Sequence, residues 1–236
     1  PGGSLEVRAA GQAFLDMRER IERHLKQRTM ILSGVSHDLR TPITRLKLGL
    51  SFLSKEQREP LEKDVEDMNL LLNEFLDFAK LENETETPIE DTNPSMLIDE
   101  LIESFQRSNI EIKTIGEIGN ILIKLKPFAI KRALENLINN ANRYGENILI
   151  EKKIDNNFLI FSVHDDGPGI DEAHYEEVLQ PFTRLDPSRN QNKGSGVGLG
   201  LPIAKEIAEG QGGSLRLSKS DILSGLSAAL IIPINF

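Results

Sequence analysis

The sequence predicts a two-part α+β chain: a helical hairpin that pairs with a second copy as a four-helix bundle, then an α/β sandwich. Three observations carry this expectation. Leucines recur every seven residues through the first part of the chain, and an acidic stretch punctuated by two prolines follows at Glu82–Pro94. Beyond it, short alternating runs are interspersed with helical ones, the pattern of one sheet covered by helices. A chain of 236 residues also exceeds the usual size of a single domain.

The hairpin comes first. Charges alternate with apolar residues at helical spacing from Leu5 to Leu53. Leu32, Leu39, Leu46 and Leu53 form one row, and Ser36, Ile43 and Leu50 a second at the heptad offset. A second pair of rows follows, Leu61, Met68 and Phe75 beside Val65, Leu72 and Ala79, across a polar break expected at Ser54–Pro60. Two helices alone cannot bury both rows, and a homodimer can. Residues 1–50 carry nine Lys/Arg against five Asp/Glu, and residues 55–91 four against thirteen, so the helices can pack with complementary charge.

The boundaries read as follows. Residues 1–27 are the end of an incoming helix, with Pro1-Gly2-Gly3-Ser4 reading as a cloning remnant. Residues 28–82 form the hairpin, 83–94 a linker and 95–236 the sandwich. In the sandwich, helices are expected at Ser95–Phe105, capped near Asn93 or Ser95, at Pro127–Tyr144 and at Val197–Glu209. Strands are expected at Ile110–Ile115, Asn120–Leu125, Asn147–Ile154, Phe158–Val163, Ser214–Leu217 and Ser227–Ile234. The net charge of −9 argues against a nucleic-acid binder. The absence of cysteine removes disulfides, thiolate catalysis and Cys-based zinc sites and fits a reducing compartment. No run approaches the ~18–20 apolar residues of a membrane span.

Four constellations can carry chemistry. His37-Asp38-Leu39-Arg40-Thr41-Pro42 puts a histidine on the first helix, about 100° round from the seam and therefore exposed. Asp38 can accept its proton, and Thr41 shares its face one turn on. Pro42 inside a long helix costs ~3 kcal/mol. Asn136, Asn140 and Arg143 share one side of a helix ending at Tyr144, and amide oxygens with a guanidinium suit a magnesium-bound triphosphate. Asp165-Asp166-Gly167-Pro168-Gly169 follows a strand, where a carboxylate can accept a hydrogen bond from an exocyclic amine and Gly167 and Gly169 let backbone approach a base. Gly194-Ser195-Gly196-Val197-Gly198-Leu199-Gly200 opens a helix and offers free N–H groups to phosphate. It lacks the Lys-Ser/Thr of a Walker A loop. Between the last two lies Pro181–Lys193, composed like a lid, with Phe182 as anchor and Arg184 available to phosphates. Each has a plainer reading: a solvated histidine, an asparagine-rich helix end, a tight turn, a solvated loop. Their order and spacing decide.

Together these elements resemble the HisKA-type sensor histidine kinases of two-component systems. His37–Pro42 looks like the H box, Asn136–Tyr144 the N box, Asp165–Gly169 the G1 box, Pro181-Phe182 the F box and Gly196–Leu201 the G2 box, in order along nearly the whole chain. The Val-Ser-His-Asp-Leu-Arg-Thr-Pro form of the H box is similar to that of EnvZ-type osmosensor kinases. The resemblance implies a GHKL-type ATP-binding domain and autophosphorylation from ATP and Mg2+. His37 is then the acceptor and Asp38 its general base, while Thr41 serves hydrolysis of the phosphorylated partner. It also implies that Asn140 coordinates magnesium with Asn136 alongside, that Arg143 and Tyr144 contact the nucleotide, and that Asp165 holds the adenine amine. Gly196, Gly198 and Gly200 then form the lid hinge and phosphate contacts, with Gly194, Val197 and Leu199 also in the nucleotide-binding set. The implied partner is a response regulator with an OmpR-type receiver domain. Glu6–Ile21 resembles the last helix of a HAMP domain, which implies a membrane anchor upstream and the cytoplasmic part of a bacterial inner-membrane protein.

Two departures are visible: Asp166 stands where Asn is usual, and Val197 where Leu is commoner. Neither removes a functional group. The hydrolytic relatives of the same fold, gyrase, Hsp90 and MutL-type ATPases, place a glutamate one turn before the magnesium asparagine. Here that position is Asn136, and Glu135 is rotated by about 100°. A dimerisation module with a degenerate pocket is the other alternative, and Asn140, Asp165 and the glycines argue against it.

Overall fold

A computed structural model describes the backbone of residues 5–81, 88–185 and 198–234. The chain divides into two compact units, Pro1–Glu86 and Thr87–Phe236.

The first unit is the hairpin. Helix α1 spans Leu5–Leu50 and runs through Pro42; helix α2 spans Lys55–Leu81. The chain leaves α1 by tightening to i→i+3 bonds, with Ser51 N–H donating to Leu48 O (3.2 Å) and Phe52 N–H to Gly49 O (3.2 Å). Ser54 then starts α2: its carbonyl accepts from Gln57 N (3.1 Å) and Arg58 N (3.0 Å). The break is thus residues 51–54, shorter than the expected Ser54–Pro60, and Pro60 lies inside α2. The strong helix formers around Pro60 outweigh the one backbone bond it forfeits, to the carbonyl of Glu56.

Among the described side chains of the hairpin, Ile43, Leu50, Val65 and Leu76 are buried in a single chain. Ile43, Leu50 and Val65 form the core, with Leu72 packed against them. Leu39, Leu46, Leu53, Leu61 and Met68 remain exposed, Leu46 by 51% and Met68 by 44%. The expected charge complementarity shows in Lys47 Nζ, which lies 3.5 Å from Glu66 Oε1 across the hairpin. Both groups are well solvated, so the pair contributes ~0–1 kcal/mol. Burial of Ile43, Leu50 and Val65 carries the packing.

The second unit is a five-stranded sheet covered by helices, as the alternating runs predict. Its strand order is β2-β4-β5-β7-β6, from Ile112–Ile115, Ile148–Asp155, Phe158–Asp165, Leu226–Pro233 and Ser214–Lys219. Only β2 and β4 run parallel. Leu159, Phe161 and Val163 alternate into the core from β5, and Leu230 and Ile232 from β7. Three helices close over them: α3 (Pro94–Gln106), α4 (Pro127–Tyr144) and α6 (Gly200–Gly210). The apolar residues at helical spacing on α4, Ala129, Ala133, Leu134, Leu137 and Ile138, form its buried face, extended by Ile130 and Ala141. Asn93 caps α3, its Oδ1 accepting from Ser95 N (2.9 Å) and Met96 N (3.3 Å), with Pro94 at the first helical position.

Two expectations change. Glu90–Thr92, inside the expected linker, is a strand, β1, paired antiparallel with β3 (Ile123–Leu125). Its residues are polar, so side-chain alternation could not mark it; the ladder is formed by backbone groups. Residues 172–178, between Gly169 and the expected lid, form a 3₁₀ turn followed by the one-turn helix α5 (Tyr175–Val178). The Val197 end expected for α6 lies outside the described residues; the described helix starts at Gly200.

Candidate active site

His37, Asp38 and Thr41 all lie on α1, in unbroken helix. Asp38 and Thr41 are exposed; the side chains of His37 and Ser36 lie outside the described residues. Thr41 follows His37 by four residues and so occupies the same helix side one turn on. Pro42 has no N–H to give the carbonyl of Asp38, so the backbone beside His37 lacks one helical bond by its covalent chemistry. Arg40 reaches α2, its Nη2 standing 3.4 Å from Asn73 Oδ1. Leu39, whose row was expected to face inward, is 46% exposed in the single hairpin.

In the second unit the end of β5 builds the most constrained group. Asp165 is buried. Its Oδ1 accepts from Gly167 N (2.9 Å) and from Leu226 N (3.1 Å), and its backbone carbonyl accepts from Gly225 N (3.1 Å). Burial pushes its carboxyl above the ordinary carboxylate range, against those two amides, which pull it down. Both backbone donors converge on one oxygen, Oδ1. Gly167 permits a close approach: a Cβ there would stand 2.8 Å from Tyr144 O and 2.9 Å from Asp165 Oδ1. Gly169 has φ +70°, a left-handed conformation that suits glycine.

Asp166 has a structural task the sequence did not suggest. Its Oδ1 accepts from Glu146 N (2.7 Å) and Asn147 N (3.0 Å), and Asn147 Nδ2 donates to Oδ2 (2.6 Å). The Asn147 side chain, then these two amides, hold its carboxyl at about 2. The loop between α4 and β4 is thereby clamped to the end of β5. An aspartate accepts all three donors, whereas an asparagine would present a donor to one of them.

Helix α4 links this corner to the glycine-rich segment. Asn136 is half-buried, donates from Nδ2 to Arg132 O (2.9 Å) and turns Oδ1 toward α6: a Cβ on Gly200 would lie 3.5 Å from it. Asn140 and Arg143 are half-buried further along α4, and Tyr144 at its end is 39% exposed. Gly198 (φ +74°) accepts at its carbonyl from Phe182 N (3.0 Å), and a Cβ on it would stand 2.5 Å from Thr183 O. The start of the expected lid is therefore tied to the glycine-rich segment. Phe182, the expected anchor, is 54% exposed and adopts φ +66°, and Arg184 is exposed. Leu199 is fully buried. Gly194, Gly196 and Val197 lie outside the described residues.

Asp165 and Gly167 thus meet the Tyr144 end of α4, Gly200 meets Asn136 on the same helix, and Gly198 meets Phe182. Glu135, the rival base, is half-buried on the same helix, and burial pushes its carboxyl up against Lys131 and Arg132. Its position beside Asn136 still turns it about 100° from the asparagine side. Reading the sequence missed Gly225 and Leu226, which hold Asp165 from sixty residues away. The only local sign was a glycine in a hairpin turn.

A buried carboxylate at a strand end, a helix carrying amides and a guanidinium, and a glycine-rich helix start define a nucleotide-binding ATPase domain. Comparison with known families agrees. The model of the histidine kinase-, DNA gyrase B- and HSP90-like ATPases matches residues 126–234, and that of the His Kinase A phospho-acceptor domain matches residues 27–84. The sensor histidine kinase GtrS of Pseudomonas aeruginosa is 33% identical over 240 residues, covering 99% of this chain and 49% of GtrS. The sensor protein RstB of Escherichia coli is 30% identical over 223 residues, 90% of this chain and 50% of RstB. Among solved structures, full-length ShkA in complex with AMPPNP superposes with a TM-score of 0.64 at 25% identity, over 86% of this chain and 44% of ShkA. The chain belongs to the sensor histidine kinases. It spans about half the length of the curated relatives it matches.

Proposed function

We propose that this chain transfers the γ-phosphoryl group of ATP to His37, passes it to an aspartate of a response regulator, and through Thr41 assists removal of the phosphoryl group from that partner. The observation that carries the reading is the co-occurrence in one chain of a phospho-acceptor helix and an ATPase-family domain whose buried Asp165 is held by two backbone amides on a single oxygen.

The residues fit a magnesium–adenine nucleotide. Asp165 accepts from the base amine, while Gly167 and Gly169 let backbone lie against the ring. Asn140 would offer a hard amide oxygen to a magnesium ion bound with the triphosphate, with Asn136 alongside it on the helix. No cluster of three or more His, Cys, Asp and Glu able to hold a metal occurs among the described residues. Arg143, Arg184 and the amides of residues 194–200 balance phosphate charge. In the transfer, the lone pair of an imidazole nitrogen of His37 forms the P–N bond as the bond to the β-phosphate breaks and ADP leaves. Asp38 takes the imidazole proton. ShkA was crystallised with AMPPNP, which supports this class of ligand.

The exposed row of Leu39, Leu46, Leu53, Leu61 and Met68 supports a homodimer in which a second hairpin covers it. The receiver of an OmpR-type regulator is the proposed partner, and the bacterial inner membrane, anchored upstream, the proposed location. No described helix is itself long and apolar enough to cross a membrane.

The test is labelling with γ-labelled ATP. The account expects acid-labile, base-stable label on the protein, lost with chelator and in His37→Gln. Free phosphate with unlabelled protein would favour an ATPase, and no nucleotide binding a degenerate module. Thr41→Ala should keep the label yet slow dephosphorylation of a phosphorylated receiver; an unchanged rate would remove Thr41 from that role.

A further inference from the structure

The reading of Asp165 leaves a second buried group unused. His164 precedes it on β5 and points to the other side of the sheet, where its side chain is 7% exposed. Its Nδ1 lies 3.0 Å from Oγ of Ser220, itself buried. Ser220 Oγ also accepts from Leu223 N (3.0 Å), Ser220 N donates to Gly225 O (2.8 Å) and Ser224 N to Ser220 O (3.0 Å). The turn anchored at Ser220 is therefore the turn whose Gly225 and Leu226 amides hold Asp165. No slack separates the two: a Cβ on Gly225 would collide with Asp165 Oδ1, Asp165 O and Gly167 N.

We infer that His164 is a positioning residue for the nucleotide site: neutral, it fixes the Ser220–Leu226 turn that aims Asp165, and when protonated it loosens that aim. This rests on the reading of Asp165 as the contact to the base. The proton inventory gives the mechanism. Ser220 Oγ already accepts from Leu223 N, so its one proton can be donated to His164 Nδ1. The imidazole then carries its proton on Nε2, which is buried with no hydrogen-bond partner among the described residues and lies 4.0 Å from Glu151 Oε2. When a second proton binds, Nδ1 becomes a donor and the Ser220 hydroxyl must turn its own proton elsewhere. Nε2 at the same time gains an ionic partner in Glu151. The bond to Ser220 thus reverses its direction without breaking, and the pull of Glu151 on Nε2 draws the ring toward β4 and the turn with it.

The facing groups set where this occurs. Burial holds the imidazole below its ordinary range; Glu151 on β4, Asp165 beside it and Asp221 in the turn favour the proton, and Lys153 on β4 opposes it. Lys153 Nζ is also 3.3 Å from Glu151 Oε1 and competes for that carboxylate. On the neighbouring strands, Leu149 and Ser227 stand opposite His164 and do not titrate in this range. The neutral ring therefore persists through neutrality, and the change falls below the ordinary histidine pKa.

The test measures affinity of the full chain for AMPPNP with magnesium by calorimetry from pH 5.5 to 7.5, in wild type, His164→Asn, Ser220→Ala and Asp165→Asn. Asn places its Oδ1 where Nδ1 stood, keeps the bond from Ser220 and does not titrate. Titration of the nucleotide's own phosphate is common to every protein and cancels in the comparison. Relative to His164→Asn, the wild type should lose about fivefold in affinity on acidification, the low end of site-to-site coupling. Ser220→Ala should bind about fivefold more weakly at pH 7.5, with the wild-type acid loss gone. Parallel wild-type and His164→Asn profiles would overturn the inference, as would wild-type affinity in Ser220→Ala. If Asp165→Asn binds as tightly as wild type, the base-contact reading fails and this inference with it. If Asp165→Asn binds weakly while the two profiles run parallel, only the role of His164 fails.

Discussion

Replacing Asp165 by Asn separates binding from folding. Oδ1 of the asparagine can still accept from Gly167 N and Leu226 N, the two bonds that hold the group in place. Nδ2 then occupies the position facing the ligand, and an acceptor becomes a donor. The lost hydrogen bond to a charged acceptor is worth ~1.5–3 kcal/mol, and two opposed donors add ~1–3 kcal/mol of unsatisfied polar group. The low end of their sum, about 3 kcal/mol, is already roughly a hundredfold in affinity. Stability moves differently. Burial disfavours this carboxylate, so the neutral amide relieves desolvation while weakening two backbone bonds, and the two changes offset to within ~1 kcal/mol. Calorimetry with AMPPNP and a thermal melt read the two quantities on one sample. The nucleotide affinity should fall about a hundredfold while the melting temperature moves by less than about 4 °C. An inosine triphosphate should lose less, because its 6-oxo group accepts from Nδ2. Affinity within about threefold of wild type would refute the assignment of the base contact. A large drop in melting temperature would show that the carboxylate is chiefly structural.

Three further outcomes follow from the same geometry. Gly225→Ala forces a Cβ into Asp165 and Gly167; overpacking of this kind costs ~1–3 kcal/mol, so both melting temperature and nucleotide affinity should fall, and a variant as stable as wild type would contradict the close approach. Leu46→Glu places a charge in the exposed row without touching the Ile43–Leu50–Val65 core; light scattering should find monomer with helix content retained, and an unchanged dimer would send the interface elsewhere. Asp166 has its folded pKa depressed to about 2 from 3.8, so its contribution is complete above the unfolded value and is lost as pH falls from about 4 toward 2. The melting temperature of Asp166→Asn relative to wild type should therefore be lowest near neutrality and converge at acid pH, and a constant difference would show that the charge is irrelevant.

What the sequence made legible had local causes. The face of α4 followed from apolar spacing, the start of α3 from Asn93 before Pro94, and the place of Asp165 from an alternating run that ends in Asp-Asp-Gly-Pro-Gly. What it concealed was non-local or carried by backbone. β1 is formed by polar residues that pair with a strand more than thirty positions on, so no periodicity marks it. Pro60 reads as a breaker and sits inside a helix, because neighbouring propensities outweigh one bond. Asp166 looked like a neutral variation, yet it clamps Glu146 and Asn147. Gly225 and Leu226 touch Asp165 only because β7 pairs with β5. Heptad spacing marked the leucine row as a seam, and in a single hairpin Leu39, Leu46 and Leu53 stay exposed because two helices have too little surface to cover both rows.

The most direct measurement of the account is site mapping. The full chain is incubated with magnesium and ATP, digested without acid and sequenced by mass spectrometry. The account predicts a phosphoryl group on the imidazole of His37, absent from His24, His164 and His174. A phosphoryl group on Ser, Thr or another histidine, or ATP consumed with His37 unmodified, would contradict it.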